Sequence, residues 1–131
     1  MKIIDKNLLD SVTSGAKESN RLRMNYNFHA SLDAPCQRLL NALEPGTIVP
    51  IHRHQHTSET YILLRGKLRI MFYNDNKDIM EETILSLESG VYGIHIPVGT
   101  WHAMDVLDSA TIMFETKDGP YAPIQECDIL K

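Results

Sequence analysis

The chain changes its period once. Between residues 5 and 18 the apolar side chains Leu8, Leu9, Val12 and Ala16 recur at helical spacing, Asp5 stands where an N-cap belongs, and Gly15 weakens the end. From Arg21 onward the spacing is two, the repeat of a strand with unlike faces. Strands are predicted over 21–29, 37–43, 48–54, 59–64, 67–73, 79–87, 92–96, 101–107 and 110–116. Turn residues separate most of them: Asp33-Ala34-Pro35, Glu44-Pro45-Gly46, Arg65-Gly66, Asn74-Asp75-Asn76, Ser89-Gly90, Pro97-Val98-Gly99 and Asp108-Ser109. Short strands at regular spacing with one helix predict an all-β antiparallel sandwich or barrel. At 131 residues this is one domain: a helical segment over 1–20, a β-barrel over 21–117 and an irregular tail over 118–131. Ile70, Phe72, Ile112 and Phe114 are candidate core residues.

Charge and cysteine usage narrow the function. Lysine and arginine total 13 against 17 acidic residues, a net charge of −4, so no nucleic-acid partner is expected. No run approaches the ~18 apolar residues of a membrane helix, and no membrane association is expected. The charged start Met1-Lys2-Ile3-Ile4-Asp5-Lys6 has no apolar core of a secretory signal. Cys36 and Cys127 form neither a CxxC pair nor a disulfide framework, and are read as reduced thiols in a cytoplasmic protein. The sheet edges of so small a sandwich predict a homodimer.

Three of the six histidines fall within five residues, as His52-Arg53-His54-Gln55-His56. In a strand, residues two apart project from the same face, so His52 and His54 stand side by side and can share one ion. Glu59 follows a short turn and supplies a carboxylate, and His102 lies just past the turn Pro97-Val98-Gly99. Three imidazoles, a carboxylate and open positions suit one divalent transition metal: Fe(II), Mn(II), Ni(II) or Zn(II). His56 is read as exposed at the loop edge, and His95 is given no role.

Gly46, His52, His54, Glu59 and Gly66 stand at the fixed positions of the first cupin motif, and Pro97-Val98-Gly99-Thr100-Trp101-His102 resembles the heart of the second. Two departures spare the ligand positions: Gly90 precedes Pro97 by one residue more than the usual pattern, and Val106 stands where an asparagine is common. The resemblance implies a cupin double-stranded β-helix, a jelly-roll barrel with a short N-terminal helix, whose metal ligands are His52, His54, Glu59 and His102. More closely, residues 21–29, 37–46 and 117–123 resemble the WbuC family of cupin-fold metalloproteins. Members of that family occur among bacterial surface-polysaccharide genes, which implies sugar or sugar-nucleotide chemistry.

The strand 21–29 carries a second constellation. Arg21, Arg23, Asn25, Asn27 and His29 share one face, and Leu22, Met24, Tyr26 and Phe28 take the other. If that polar row lines the barrel mouth, its guanidiniums suit a carboxylate or phosphate and its amides suit hydroxyls. His29 is then a candidate acid or base. Tyr61 continues the Glu59 face and is a candidate proton donor, while Glu115 and Lys117 are read as surface charges. The expected function is a metal-dependent enzyme acting on a polar or anionic small molecule, of isomerase or epimerase type. The alternatives are a metal-dependent dioxygenase or a non-catalytic cupin that binds a small ligand.

Overall fold

The computed structural model describes residues 1–131. One helix, α1 (Lys6–Glu18), precedes eight strands: β1 (Arg23–Asn27), β2 (Cys36–Leu43), β3 (Glu59–Arg65), β4 (Lys67–Tyr73), β5 (Ile79–Ser86), β6 (Gly93–Ile96), β7 (Trp101–Val106) and β8 (Thr111–Asp118). Asp5 caps α1 by accepting the Leu8 N–H at 2.9 Å. All strand pairs are antiparallel, in a five-stranded sheet ordered β1-β2-β8-β3-β6 and a three-stranded sheet ordered β5-β4-β7.

Around β2 and β8 the larger sheet is covered on both faces. Its inner face joins the smaller sheet in a core of Leu43, Tyr61, Leu63, Leu68, Ile70, Leu85, Ile96, Met104 and Met113. Its outer face is covered by α1, which sets Val12 and Ala16 against Leu40, Ala42 and Ile112. Phe72 and Phe114 are half-buried at the margins of these cores rather than inside them. Truncating fully buried Leu40 to alanine is expected to cost about 2–5 kcal/mol. The β3–β4 hairpin turns at Gly66, whose φ is +82° and whose missing Cβ makes room for Thr111: a Cβ there would meet Thr111 Oγ1 at 2.1 Å.

The structure differs from the sequence-based expectation in three segments. Residues 48–54 form no strand; only His52 makes isolated bridges, to His102 on one side and Ile129 on the other. The strand predicted over 21–29 is confined to Arg23–Asn27, because Leu22 turns the chain at a φ of +57°. The end of the chain is not merely irregular. After a short 3-10 turn over Glu126–Asp128, Arg53 N–H donates to the Asp128 carbonyl at 3.0 Å and Leu130 N–H to the Ile51 carbonyl at 2.8 Å. The tail therefore straps the segment that holds two of the histidines.

Candidate metal centre and adjoining cavity

His52 and His102 face each other across a backbone bridge. The His52 N–H donates to the His102 carbonyl at 3.0 Å and the reverse bond is 2.9 Å, which brings the two rings to 4.3 Å between centroids. Glu59 opens β3 on the neighbouring sheet. Its Oε1 lies against His54 Nε2 and 3.9 Å from His102 Nε2. One ligand atom from each of His52, His54, Glu59 and His102 can be chosen so that all lie within 4.8 Å of one another.

The ring tautomers are set from behind. His52 Nδ1 donates to the Pro50 carbonyl at 2.8 Å and His102 Nδ1 to the Thr100 carbonyl at 2.9 Å, which leaves each Nε2 with a free lone pair. His102 Nε2 is buried without a hydrogen-bond partner, and Glu59 Oε1 is buried with His54 Nε2 as its one close polar neighbour. Unpaired buried polar atoms are costly, and converging nitrogen and carboxylate lone pairs are what a metal ion satisfies. The four residues therefore form a cluster able to hold one metal ion.

Charge follows the same design. Burial pushes the His52 imidazole down to about 4, and the nearby His102 pushes the same way. His102 is also lowered, chiefly by burial. Both are thus neutral, the form that binds metal. Burial alone would raise the Glu59 carboxyl, but its contact with His54 and the Tyr61 hydroxyl outweigh that and hold it at about 2. Tyr61 donates to Glu59 Oε2 at 2.5 Å, and burial keeps its hydroxyl protonated.

Sequence reasoning missed Asp128. It is a buried carboxylate on the tail, and its Oδ1 accepts from Gln55 Nε2 at 2.6 Å and Arg53 Nε at 3.1 Å. Arg53 also stacks on Trp101, 4.3 Å from the ring centroid. The turn at Gly99 (φ +75°) donates its N–H to the His54 carbonyl at 2.8 Å. The segment 51–54 is thus held by the second histidine strand, by that turn and by the tail. A lone aspartate 75 residues from its partner leaves no local signal.

A cavity of about 530 Å³ opens on the inner face of the larger sheet. Arg21, Arg23, Asn25, Asn27 and His29 all line it, together with Asn41 and Glu115. Tyr61 does not; its hydroxyl is taken by Glu59. Glu115 is not a surface charge: it is 7% exposed, sits opposite Tyr61 in the β3–β8 register, and has its carboxyl raised to about 7 by burial and by the Glu59 charge. Lys117 is half-buried and lines the same cavity. His56 and His95 are exposed.

A family model described as Domain of unknown function (DUF6016) matches residues 4–85, a span that includes His52, His54 and Glu59 but not His102. No curated protein matches the sequence. Solved structures are similar over most of the chain. KdgF from Halomonas sp. is 12% identical with a TM-score of 0.61, over 80% of this chain and 85% of that one. The cupin domain of Cnp3 from Schizosaccharomyces pombe is 10% identical with a TM-score of 0.59, over 78% and 69%. The capsular polysaccharide assembling protein CapF from Staphylococcus aureus is 24% identical with a TM-score of 0.64; 80% of this chain aligns, but only 28% of CapF. The fold is a cupin jelly roll.

Proposed function

The chain belongs to the family described as Domain of unknown function (DUF6016), and from its histidine–glutamate cluster and the cavity beside it we propose a metal-dependent enzyme that acts on a polar, anionic small molecule. The observation that carries this reading is the convergence of buried ligand atoms, His102 Nε2 without a partner and Glu59 Oε1 against His54 Nε2, set beside a polar cavity. A divalent transition ion, when bound, polarises a carbonyl or enediolate oxygen, as isomerisation and epimerisation require. His52, His54, Glu59 and His102 hold it.

The other residues divide the remaining work. Tyr61 orients Glu59 through its hydroxyl and acts on the reaction only through that carboxylate. His29 is the candidate acid or base: its Nδ1 lies 3.0 Å from the Arg38 backbone nitrogen and 3.1 Å from the Arg38 carbonyl oxygen, and its Nε2 has no partner. Arg21 and Arg23 receive the anionic group of the substrate, and Asn25 and Asn27 its hydroxyls.

The finer identity is part of the same proposal. The motifs resemble the WbuC family, and CapF is described as assembling a capsular polysaccharide, so a sugar or sugar nucleotide of surface-polysaccharide metabolism is the substrate class. Free Cys36 and Cys127 suit the cytoplasm. The exposed Ile79, Met80 and Ile84 of edge strand β5 suit a homodimer, which sedimentation at micromolar concentration tests.

The deciding experiment is elemental analysis of untagged protein purified without chelator, beside a His52→Ala/His54→Ala variant. Near-stoichiometric metal in the parent and none in the variant is expected, and identifies the ion for activity screens. No metal in the parent after anaerobic loading with Fe(II), Mn(II), Ni(II) and Zn(II) defeats the reading.

A further inference from the structure

The atoms that the cavity leaves unpaired describe the molecule it takes. Arg21 and Arg23 both line it, and neither has a carboxylate within 4.0 Å, unlike Arg53, Arg65 and Arg69 elsewhere in the chain. Two guanidiniums brought together without a counter-ion repel, and an anion with several oxygens relieves both. Deeper along the sheet, Asn41 Oδ1 is a buried acceptor with no donor. The buried Glu115 carboxyl lies on the next strand, one register step away, since Asn41 pairs with Met113 and Leu39 with Glu115, and the Asn41 amide and Glu59 both act on it. His29 Nε2 is a buried ring nitrogen with no partner.

The strand register supplies a length. Arg23 is level with Leu43 on β2 and Thr111 on β8, four residues from Glu115 along β8. The backbones at Arg23 and Glu115 are thus separated by roughly 13 Å along the strands and roughly 10 Å across them. Inorganic phosphate alone does not reach from one side chain to the other, while a phosphorylated sugar or sugar nucleotide does.

We infer that the cavity binds a two-part ligand, a phosphate-bearing group on Arg21 and Arg23 and a hydroxyl-bearing ring on Asn41 and Glu115, and that Asn41 and Glu115 are its specificity-determining residues. The inference rests on the function proposed above and deepens it. One hydroxyl donates to Asn41 Oδ1, another pairs with His29 Nε2, and a ring held by Glu115 lies on the side of the cavity toward Tyr61, its register partner. A site built to hydrogen-bond a hydroxyl rejects an analogue that lacks it, because its own buried atoms stay unpaired.

Calorimetric titration tests this with inorganic phosphate, glucose, glucose 1-phosphate and UDP-glucose, on metal-free and Mn(II)-loaded protein. Glucose 1-phosphate or UDP-glucose is expected to bind at least about tenfold more tightly than phosphate or glucose, the worth of one well-made hydrogen bond or ion pair. Whichever of the two binds more tightly identifies a sugar monophosphate or a sugar nucleotide as the source of the phosphate. Asn41→Leu should erase the advantage over phosphate and leave phosphate binding unchanged. Arg21→Ala/Arg23→Ala should erase the advantage over glucose. Glu115→Gln keeps the shape of the side chain and should weaken only the sugar-bearing probes, which guards against a variant that fails to fold. Equal affinity for all four probes, or sugar-phosphate binding unmoved within twofold by both Asn41→Leu and Glu115→Gln, overturns the inference. These readouts involve no turnover: an inactive protein that keeps them refutes only the enzymatic reading, and a metal-loaded active protein that lacks them refutes only this one.

Discussion

The two ends of the larger sheet's inner face are finished to different degrees. At the metal end, His52 and His102 have Nδ1 fixed by backbone carbonyls, and the segment 51–54 is hydrogen-bonded to β7, the Gly99 turn and the tail. At the cavity end, β1 is an edge strand paired only with β2, and Asn25 and Asn27 are exposed. The first arrangement sets its ligand atoms in place before anything binds. The second leaves side chains free to settle around a ligand. Metal affinity should therefore respond to groups that never touch the metal, while small-molecule affinity should respond mainly to the side chains that line the cavity.

The largest effect expected is at the metal end. His102→Leu removes a ligand whose Nε2 is already unpaired, so metal content should fall from near one ion per chain to none, read by elemental analysis. The metal-free fold should survive, because leucine fills the space and takes away an unsatisfied nitrogen. Arg21→Ala/Arg23→Ala should leave metal content unchanged. If it does not, the two ends are not separate.

A pH effect of about 3 kcal/mol should follow from two buried groups that titrate in opposite senses. His52 has its folded value lowered to about 4 from 6.5, so its contribution is present above 6.5 and is lost as pH falls toward 4. Glu115 is raised to about 7 from 4.5, so its contribution is present below 4.5 and is lost as pH rises toward 7. At about 1.4 kcal/mol per unit each is worth about 3 kcal/mol, and between pH 4.5 and 6.5 they oppose each other. His102 is lowered as well and adds to the histidine side, so metal-free protein should lose only part of that stability as pH falls across the window. Glu115→Gln should expose the full histidine slope, with denaturant-measured stability falling by at least about 3 kcal/mol from pH 6.5 to 4.5. A flat profile in the variant contradicts this assignment.

The sequence was most legible where one face is wet and pairing is local. The strand over Lys67–Tyr73 is read with its bounds, and the spacing of His52, His54, Glu59 and His102 picks out residues that the fold gathers. Glu115 was misread because β8 lies in the middle of its sheet with both faces covered. Alternation there says that Phe114 and Glu115 point oppositely, not that either meets water. Residues 48–54 were misread for another reason. Their partners are His102 and Ile129, far away in sequence, and a segment held by isolated bridges has the same composition as a strand. The polar row of β1 was legible as a row, but its unpaired guanidiniums were not, since a missing counter-ion is a fact of three dimensions.

Asp128 separates the two ends most sharply at moderate cost. Its carboxyl is held low first by the Gln55 hydrogen bond and then by Arg53, so it stays ionised well below neutral pH. It contacts no ligand atom of the cluster, yet it fixes the residues on either side of His54. Asp128→Ala frees Arg53 and Gln55 and loosens the tail from residues 51–53. Loss of a partner bonded directly to a ligand typically costs 10–100-fold in metal affinity; Asp128 acts one residue further out, so chelator competition should read a change of about tenfold for Asp128→Ala. Phosphate affinity at Arg21 and Arg23 should be unmoved, because the tail strap and β1 lie on different parts of the barrel. The smallest effect belongs to the other end. Asn25→Ala removes an exposed side chain of an edge strand, so stability should change by no more than about 0.5 kcal/mol and metal affinity not at all. If Asn25→Ala weakens metal as much as Asp128→Ala does, preorganisation is not confined to the histidine end, and β1 belongs to the metal site's own support.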